Sequence, residues 1–173
     1  TEQKDWEAFL QSQPESNFLQ SFYNGAAYQK LNQKVFSSGF YLDKKIIGVS
    51  LAILEAAKRG RYFIIPGGPI LDWNNKDLRH LWKQSITQIA KDNNCAFIRV
   101  RPQLIDNSEN KKLFQDLGFV ASPMHLSAQT TLQLDLKQPL DQILSQMRKT
   151  TRYCIKKAEK DLNFQTTFRV LVI

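Results

Sequence analysis

The sequence predicts an α+β domain, a central and mostly antiparallel sheet with helices packed against it. Three observations carry that expectation. Apolar residues recur at helical spacing in some stretches, as at Leu78, Leu81, Trp82, Ile86, Ile89 and Ala90. In others they alternate with polar ones, as at Leu132, Leu134 and Leu136 against Thr131, Gln133 and Asp135. The order is helices first, then neighbouring strand-like runs, then helix and strand in turn. At 173 residues and 42% hydrophobic, the chain is long and apolar enough for one domain with a proper core.

Taken in order, Asp5–Gln11 reads as a short helix with Trp6, Phe9 and Leu10 inward, stopped before Pro14. A second helix is expected from Phe18 to Leu31, burying Phe22, Ala26, Ala27 and Leu31. Lys34–Leu42 and Ile46–Ala57 read as a hairpin around Asp43, Lys44 and Lys45. Periodicity alone leaves IIGVSLAILEAA open between strand and helix, and the turns on either side decide for strand. Gly60 allows a reversal into a strand at Arg61–Ile65. The loop Pro66-Gly67-Gly68-Pro69 follows, with two permissive residues that let backbone approach something closely.

A helix over Lys76–Asn93, a buried strand over Cys95–Val100 and a short helix over Lys111–Leu117 come next, the last closed by Gly118. On the strand, a period of two puts Arg99 and Arg101 on one side. A strand at Thr130–Leu136, a long helix at Pro139–Leu162 and a final strand at Asn163–Ile173 complete the chain.

Composition narrows the chemistry. The net charge is +8, which favours an anionic partner or marks a merely basic protein. Two cysteines, Cys95 and Cys154, are too few and too distant for a disulfide framework or a zinc site, and are read as reduced thiols. No apolar run approaches membrane-spanning length and no signal peptide opens the chain, so a cytoplasmic location is expected. The chain starts at Thr1 without Met, which is read as N-terminal processing or editing of the sequence for expression. His80 and His125 lack a nucleophile motif beside them, and phosphate-loop, dinucleotide, zincin and nucleophile-elbow patterns do not occur. Met124 and Met147 read as core fillers.

The charge is concentrated in one place. Residues 141–160 carry six bases, Arg148, Lys149, Arg152, Lys156, Lys157 and Lys160, against Asp141 and Glu159. That net +4 is half the charge of the whole chain. In a continuous helix, Leu144, Met147, Thr151, Ile155, Ala158 and Leu162 form one mostly apolar face, while Arg148, Arg152 and Lys156 stack at i, i+4 and i+8. Like charges at that spacing repel, and a polyanion would relieve the repulsion. An ordinary solvated helix face explains the same residues equally well.

MRKTTRYCIKKAEK after LQLDL also resembles the signature of the Fem family, the FemABX-type peptidoglycan-bridge aminoacyltransferases. FLQS at Phe18–Ser21, YQK at Tyr28–Lys30, YFIIPGGPILD at Tyr62–Asp72 and IRVRP at Ile98–Pro102 fit the same family in order. The resemblance implies a three-layer, acetyltransferase-like (GNAT-like) domain over residues 1–173, the first half of a two-domain protein. It implies transfer of an amino acid from aminoacyl-tRNA to the stem peptide of a nucleotide- or lipid-linked muramyl peptide, without a cofactor. A second half-domain, or a second copy of the chain, is the implied protein partner.

The candidate substrate-binding residues are Lys30, Gly67, Gly68, Arg101, Arg148, Lys149, Arg152, Tyr153 and Lys156, and no catalytic residue is assigned. Lys30 stands nearest a family lysine that contacts a diphosphate, and a helix-end lysine is its plain structural role. Two departures are visible: Asn24 stands where the family has tryptophan, and Gly67 where relatives often have arginine. The glycine-rich turn that holds coenzyme A pyrophosphate is missing, which ranks a divergent acyl-CoA transferase below a non-catalytic module that binds RNA or an anionic precursor.

Overall fold

A computed structural model describes residues 3–58, 60–124 and 134–161. The chain forms two compact units, residues 1–124 and 125–173. The first is a three-layer sheet domain, and the second, in its described residues, is a pair of helices meeting at a corner.

In the first unit, β1 (Lys34–Leu42) and β2 (Lys45–Ala57) form the expected hairpin. Asp43 and Lys44 turn it with φ of 47° and 65°, both left-handed, as a tight two-residue hairpin loop requires. β3 (Gly60–Pro66) pairs antiparallel with β2, and β5 (Cys95–Arg101) pairs parallel with β3. A two-residue strand that periodicity does not reveal, β4 (Ile70–Leu71), pairs with β2 at Gly48 and Val49.

Each sheet face has its own core. α1 (Gln3–Gln11) and α2 (Phe22–Lys30) cover one face, where Trp6 and Leu10 pack with Val49, Leu51 and Ile53. α3 (Lys76–Asp92) covers the other, where Leu78, Trp82, Ile86 and Ala90 meet Phe40, Ala52, Phe63 and Ile65. Asn75 caps α3 by accepting from the Leu78 amide at 3.1 Å. Leu81, expected on the buried face, is 53% exposed, because the buried stripe runs through 78, 82, 86 and 90 and leaves it on the flank.

α4 begins earlier than its apolar pattern, at Ser108–Asp116, because Asn107 caps it through the Asn110 amide. Gly118, at φ 79°, closes it as expected, with Phe119 N donating to Phe114 O. Met124, read as a core filler, is exposed.

The second expected helix is not continuous. Phe18–Gln20 is a 3-10 turn capped by Asn17, and Ser21 takes extended backbone (φ −71°, ψ 149°) before α2 starts. Two N-caps in five residues force this break: Asn17 accepts from Leu19 N and Ser21 from Asn24 N. The break rotates α2. Gly25 is its buried residue, Ala26 and Ala27 are exposed, and Leu31 is 72% exposed.

In the second unit, the predicted helix Pro139–Leu162 is two helices. α5 (Leu140–Gln146) ends at Met147, which is extended (φ −76°, ψ 153°), and α6 (Lys149–Asp161) starts two residues later. Pro139 is the cap residue of α5 and not its first helical position. The single apolar face is therefore divided. Leu144, Met147, Ile155 and Ala158 are half-buried, and Thr151 is exposed. Leu162, the strand Asn163–Ile173, His125 and residues 130–133 of the strand Thr130–Leu136 lie outside the described residues. Leu134, Asp135 and Leu136 are described and belong to no strand.

Candidate functional site

The most tightly specified place in the first unit is a polar strut where β2 and β3 part. Their ladder runs from Ala57 opposite Gly60 to Ile53 opposite Ile64 and then stops. Between Leu51 and Pro66 the Gln20 carboxamide takes its place. Its Oε1 accepts from Leu51 N at 2.8 Å, and its Nε2 donates to Leu51 O at 3.2 Å and Pro66 O at 2.7 Å. Trp6 Nε1 donates to Gln20 O at 2.8 Å and fixes the strut from behind. Gln20 is 0% exposed, and a polar group buried so deeply has to be satisfied in this way.

The Pro66–Pro69 loop is packed on that strut. Gly67 (φ 63°) is buried, and Asn17 Nδ2 donates to its carbonyl at 2.7 Å. A Cβ on Gly67 would land on the Asn17 carboxamide, and one on Gly68 on the Gln20 carboxamide. The absence of a side chain at both glycines therefore lets the Asn17 and Gln20 carboxamides approach the loop closely.

Gly68 also bridges to Arg101 at the end of β5, so Gly67, Gly68 and Arg101 are brought together with Phe18–Gln20. Three stretches far apart in the chain converge here. Asn17 carries no sequence signal and Gln20 enters only as part of FLQS, since neither lies on an apolar stripe and a buried glutamine leaves no periodic trace.

Lys30 is elsewhere. It is exposed in the last turn of α2. The helix carries it about 13 Å from Ser21 at the strut end. A groove of ≈ 500 Å³ between α1 and the β1–β2 turn gathers Asp5, Phe9, Tyr41, Asp43, Lys44 and Ile46, and none of the candidate substrate residues.

In the second unit the basic residues divide by role. Arg148, Lys149, Tyr153 and Lys156 are exposed, as are Lys157 and Lys160. Arg152 is half-buried and turns back on the corner. Its Nη1 donates to Met147 O at 2.7 Å and to Ser145 O at 3.0 Å. These carbonyls end α5, where the helix dipole leaves negative charge and unpaired acceptors. Arg148 precedes α6, and its carbonyl accepts from Arg152 N. The expected cationic row at i, i+4 and i+8 is thus interrupted at its middle, where Arg152 turns to the corner carbonyls.

Arg152→Gln should loosen the corner. A charge-assisted hydrogen bond is worth about 1.5–3 kcal/mol, and partial exposure places this pair toward the low end. Faster amide exchange at 143–156, with the first unit unchanged, is the expected readout.

The FemAB family profile matches residues 1–161. The chain belongs to the FemAB family. Among curated relatives, aminoacyltransferase FemA of Staphylococcus epidermidis is 33% identical over 63 residues, 36% of this chain and 15% of its own length. FemA of Staphylococcus aureus (strain bovine RF122 / ET3-1) is 23% identical over 181 residues, 91% of this chain and 43% of the relative. The chain spans less than half the length of these relatives.

Among solved structures, FemX superposes with a TM-score of 0.73 at 17% identity, covering 93% of this chain and 43% of FemX. AAC(6')-Iy, solved in complex with the bisubstrate analog CoA-S-monomethyl-acetylneamine, superposes with a TM-score of 0.54 at 12% identity, covering 75% of this chain and 92% of its own. The fold is therefore the acetyltransferase-like one.

The cysteines of this FemAB-family chain differ in setting. Burial pushes the Cys95 thiol up, and the nearby Arg61 charge only partly offsets it. Cys154 is exposed on α6. Since the thiolate is the reactive form, iodoacetamide at neutral pH should label Cys154 first, with mass spectrometry of the digest locating the adduct. Faster labelling of Cys95 would contradict the burial.

Proposed function

We propose that this chain is the N-terminal, acetyltransferase-like part of a Fem-type aminoacyltransferase that acts on peptidoglycan precursors. The observation that carries this reading is the FemAB match over residues 1–161, which includes α5 and α6. The donor is aminoacyl-tRNA and the acceptor an amine on the stem peptide of a nucleotide- or lipid-linked muramyl peptide. The amine attacks the ester carbonyl, a C–N bond forms, and the ribose oxygen leaves with the proton that the amine gives up. The ester is already activated, so no protein nucleophile is required. The protein contributes positioning and stabilisation of the oxyanion.

In that scheme the exposed cations of α6, Arg148, Lys149 and Lys156, hold phosphates, with Tyr153 beside them. Lys30 is a second phosphate contact, and Arg101 borders the acceptor at the Gly67–Gly68 loop. The reaction takes place in the cytoplasm, and no described helix is long and apolar enough to cross a membrane. In the family the group that assists the oxyanion belongs to a second half, so a second half-domain or another copy completes the site. A non-catalytic RNA-binding module is the rival reading, favoured by the same exposed cations.

The test mixes the purified 173-residue chain with charged tRNA and a muramyl pentapeptide precursor. Salt-sensitive binding of tRNA without multiple turnover is expected. Repeated turnover by the chain alone would overturn the incomplete-site reading, and absence of binding to either substrate would overturn the function.

A further inference from the structure

β1 stands at the end of the sheet order, with β2 on one side of it and no strand on the other among the described residues. The strut reveals which of its backbone groups look outward. Leu51 turns both its N–H and its carbonyl to Gln20, on the β3 side of β2. Ser37 is opposite Leu51 in the β1–β2 register, so this pair exchanges no hydrogen bond. The N–H and C=O of Ser37 therefore point away from β2, and by the strand period so do those of Val35 and Gly39. Among the described residues nothing bonds these groups. Ser37 is exposed and Val35 and Gly39 are half-buried, so solvent reaches the edge.

A row of unpaired donors and acceptors is a template for another strand, and edges that stay solitary carry proline, a central charge or a bulge. β1 has no proline, and its one charged residue, Lys34, comes first in the strand. Its register shift lies at Phe40–Tyr41, near the other end. The middle is Ser37, Ser38 and Gly39, small residues that leave room for a second backbone.

We propose that two copies of this chain join β1 to β1, antiparallel, into one continuous sheet. Residues facing each other in such a pair share a sheet face, so the two-fold axis passes through a residue of the strand. With the axis at Ser38, the whole of β1 is paired. Val35, on the α1 and α2 face, then meets Tyr41 of the second copy, a β-branched residue against an exposed aromatic one. Phe36 meets Phe40 of the second copy on the α3 face. The exposed Leu42 lies against the aliphatic stem of Lys34 of the second copy. An axis at Ser37 would leave Tyr41 and Leu42 opposite residues outside the strand, and one at Gly39 would set Lys34 against Lys44. An extended peptide of another protein would use the same backbone groups without this match of the strand to itself. The plain alternative is a solvated edge. The pairing uses no residue assigned to substrate, so it stands apart from the aminoacyl-transfer reading.

The experiment sediments the 173-residue chain from micromolar to millimolar concentration. It should pass from one chain to two, and amide exchange at Val35, Ser37 and Gly39 should slow as the dimer forms. Ser37→Pro removes an outward N–H where an edge strand tolerates proline, and should weaken association about tenfold or more. Ser37→Lys keeps that N–H and brings charge beside the axis, so it should weaken association as well, and it tests the edge if the proline variant fails to fold. A chain that stays monomeric at millimolar concentration would overturn the proposal. A dimer that Ser37→Lys leaves unchanged would also overturn it, since another surface would then hold the copies together. Slow exchange at the same three amides in the monomer would do so too, because another part of the same chain would then cover the edge.

Discussion

Gln20→Leu is expected to cost about 3–5 kcal/mol, a large share of a typical domain's stability. The reasoning is an inventory of orphaned groups. Leucine matches the volume but leaves Leu51 N, Leu51 O and Pro66 O without their partner in a buried gap between strands. An unsatisfied buried group costs about 1–3 kcal/mol, and some relaxation toward water offsets part of the sum. Urea denaturation should show the loss as a lower midpoint with little change in slope. A loss below about 1 kcal/mol would mean that the strands close on each other without the strut.

Gln20→Glu adds a sign test. The new carboxyl would face two carbonyl acceptors, a geometry that only its protonated form can satisfy. Its folded pKa is therefore raised above the ordinary glutamate value of about 4.3. Stability should be fully present below that pH and be lost as pH rises toward the folded pKa. A variant that grows more stable between acid and neutral pH would refute the assigned amide orientation.

The second large effect is on binding. Replacing Arg148, Lys149 and Lys156 together with glutamine should lower the slope of log affinity against log salt by about 2, from about 0.7 per lost single-strand phosphate contact. At tenfold below 1 M salt that is roughly a hundredfold in affinity. Stability should change little, because all three are exposed. Arg152 is left in place for a physical reason: its Nη1 is engaged by the Ser145 and Met147 carbonyls, so removing it would confound contact loss with loss of the corner. An unchanged salt slope in the triple variant would return α6 to an ordinary solvated helix.

Much of the architecture is legible along the chain because it rests on local periodicity. The β1–β2 hairpin, α3 and the Gly118 closure all follow from spacing and turn chemistry within a few residues, and β5 does so as a strand, although it is half-buried to exposed where a buried strand is expected. The basic segment is equally plain, since charge density needs no fold to be counted. The ordered motifs around FLQS, PGGP, IRVRP and the basic segment led to the Fem family, and the match over residues 1–161 agrees.

What the tertiary structure decided is how distant and locally competing groups are satisfied. Asn17 and Ser21 each had a local capping option, and only their use together breaks the expected Phe18–Leu31 helix and rotates α2. The Gly67–Gly68 loop reads in the sequence as a place of close approach, and only the fold shows that Asn17 and Gln20, about fifty residues earlier, fill the space where their side chains would stand. β4 is two residues long and exists because β2 has an unpaired edge to offer at Gly48 and Val49. In the basic segment, spacing predicts one helix with three cations in a row. Backbone extension at Met147 and the Arg152 bonds to two carbonyls make it a corner with a divided charge, since an arginine joins whichever acceptors the folded chain leaves unpaired. Periodicity reports which face of a segment is apolar, and it is silent on which polar groups will meet across the fold.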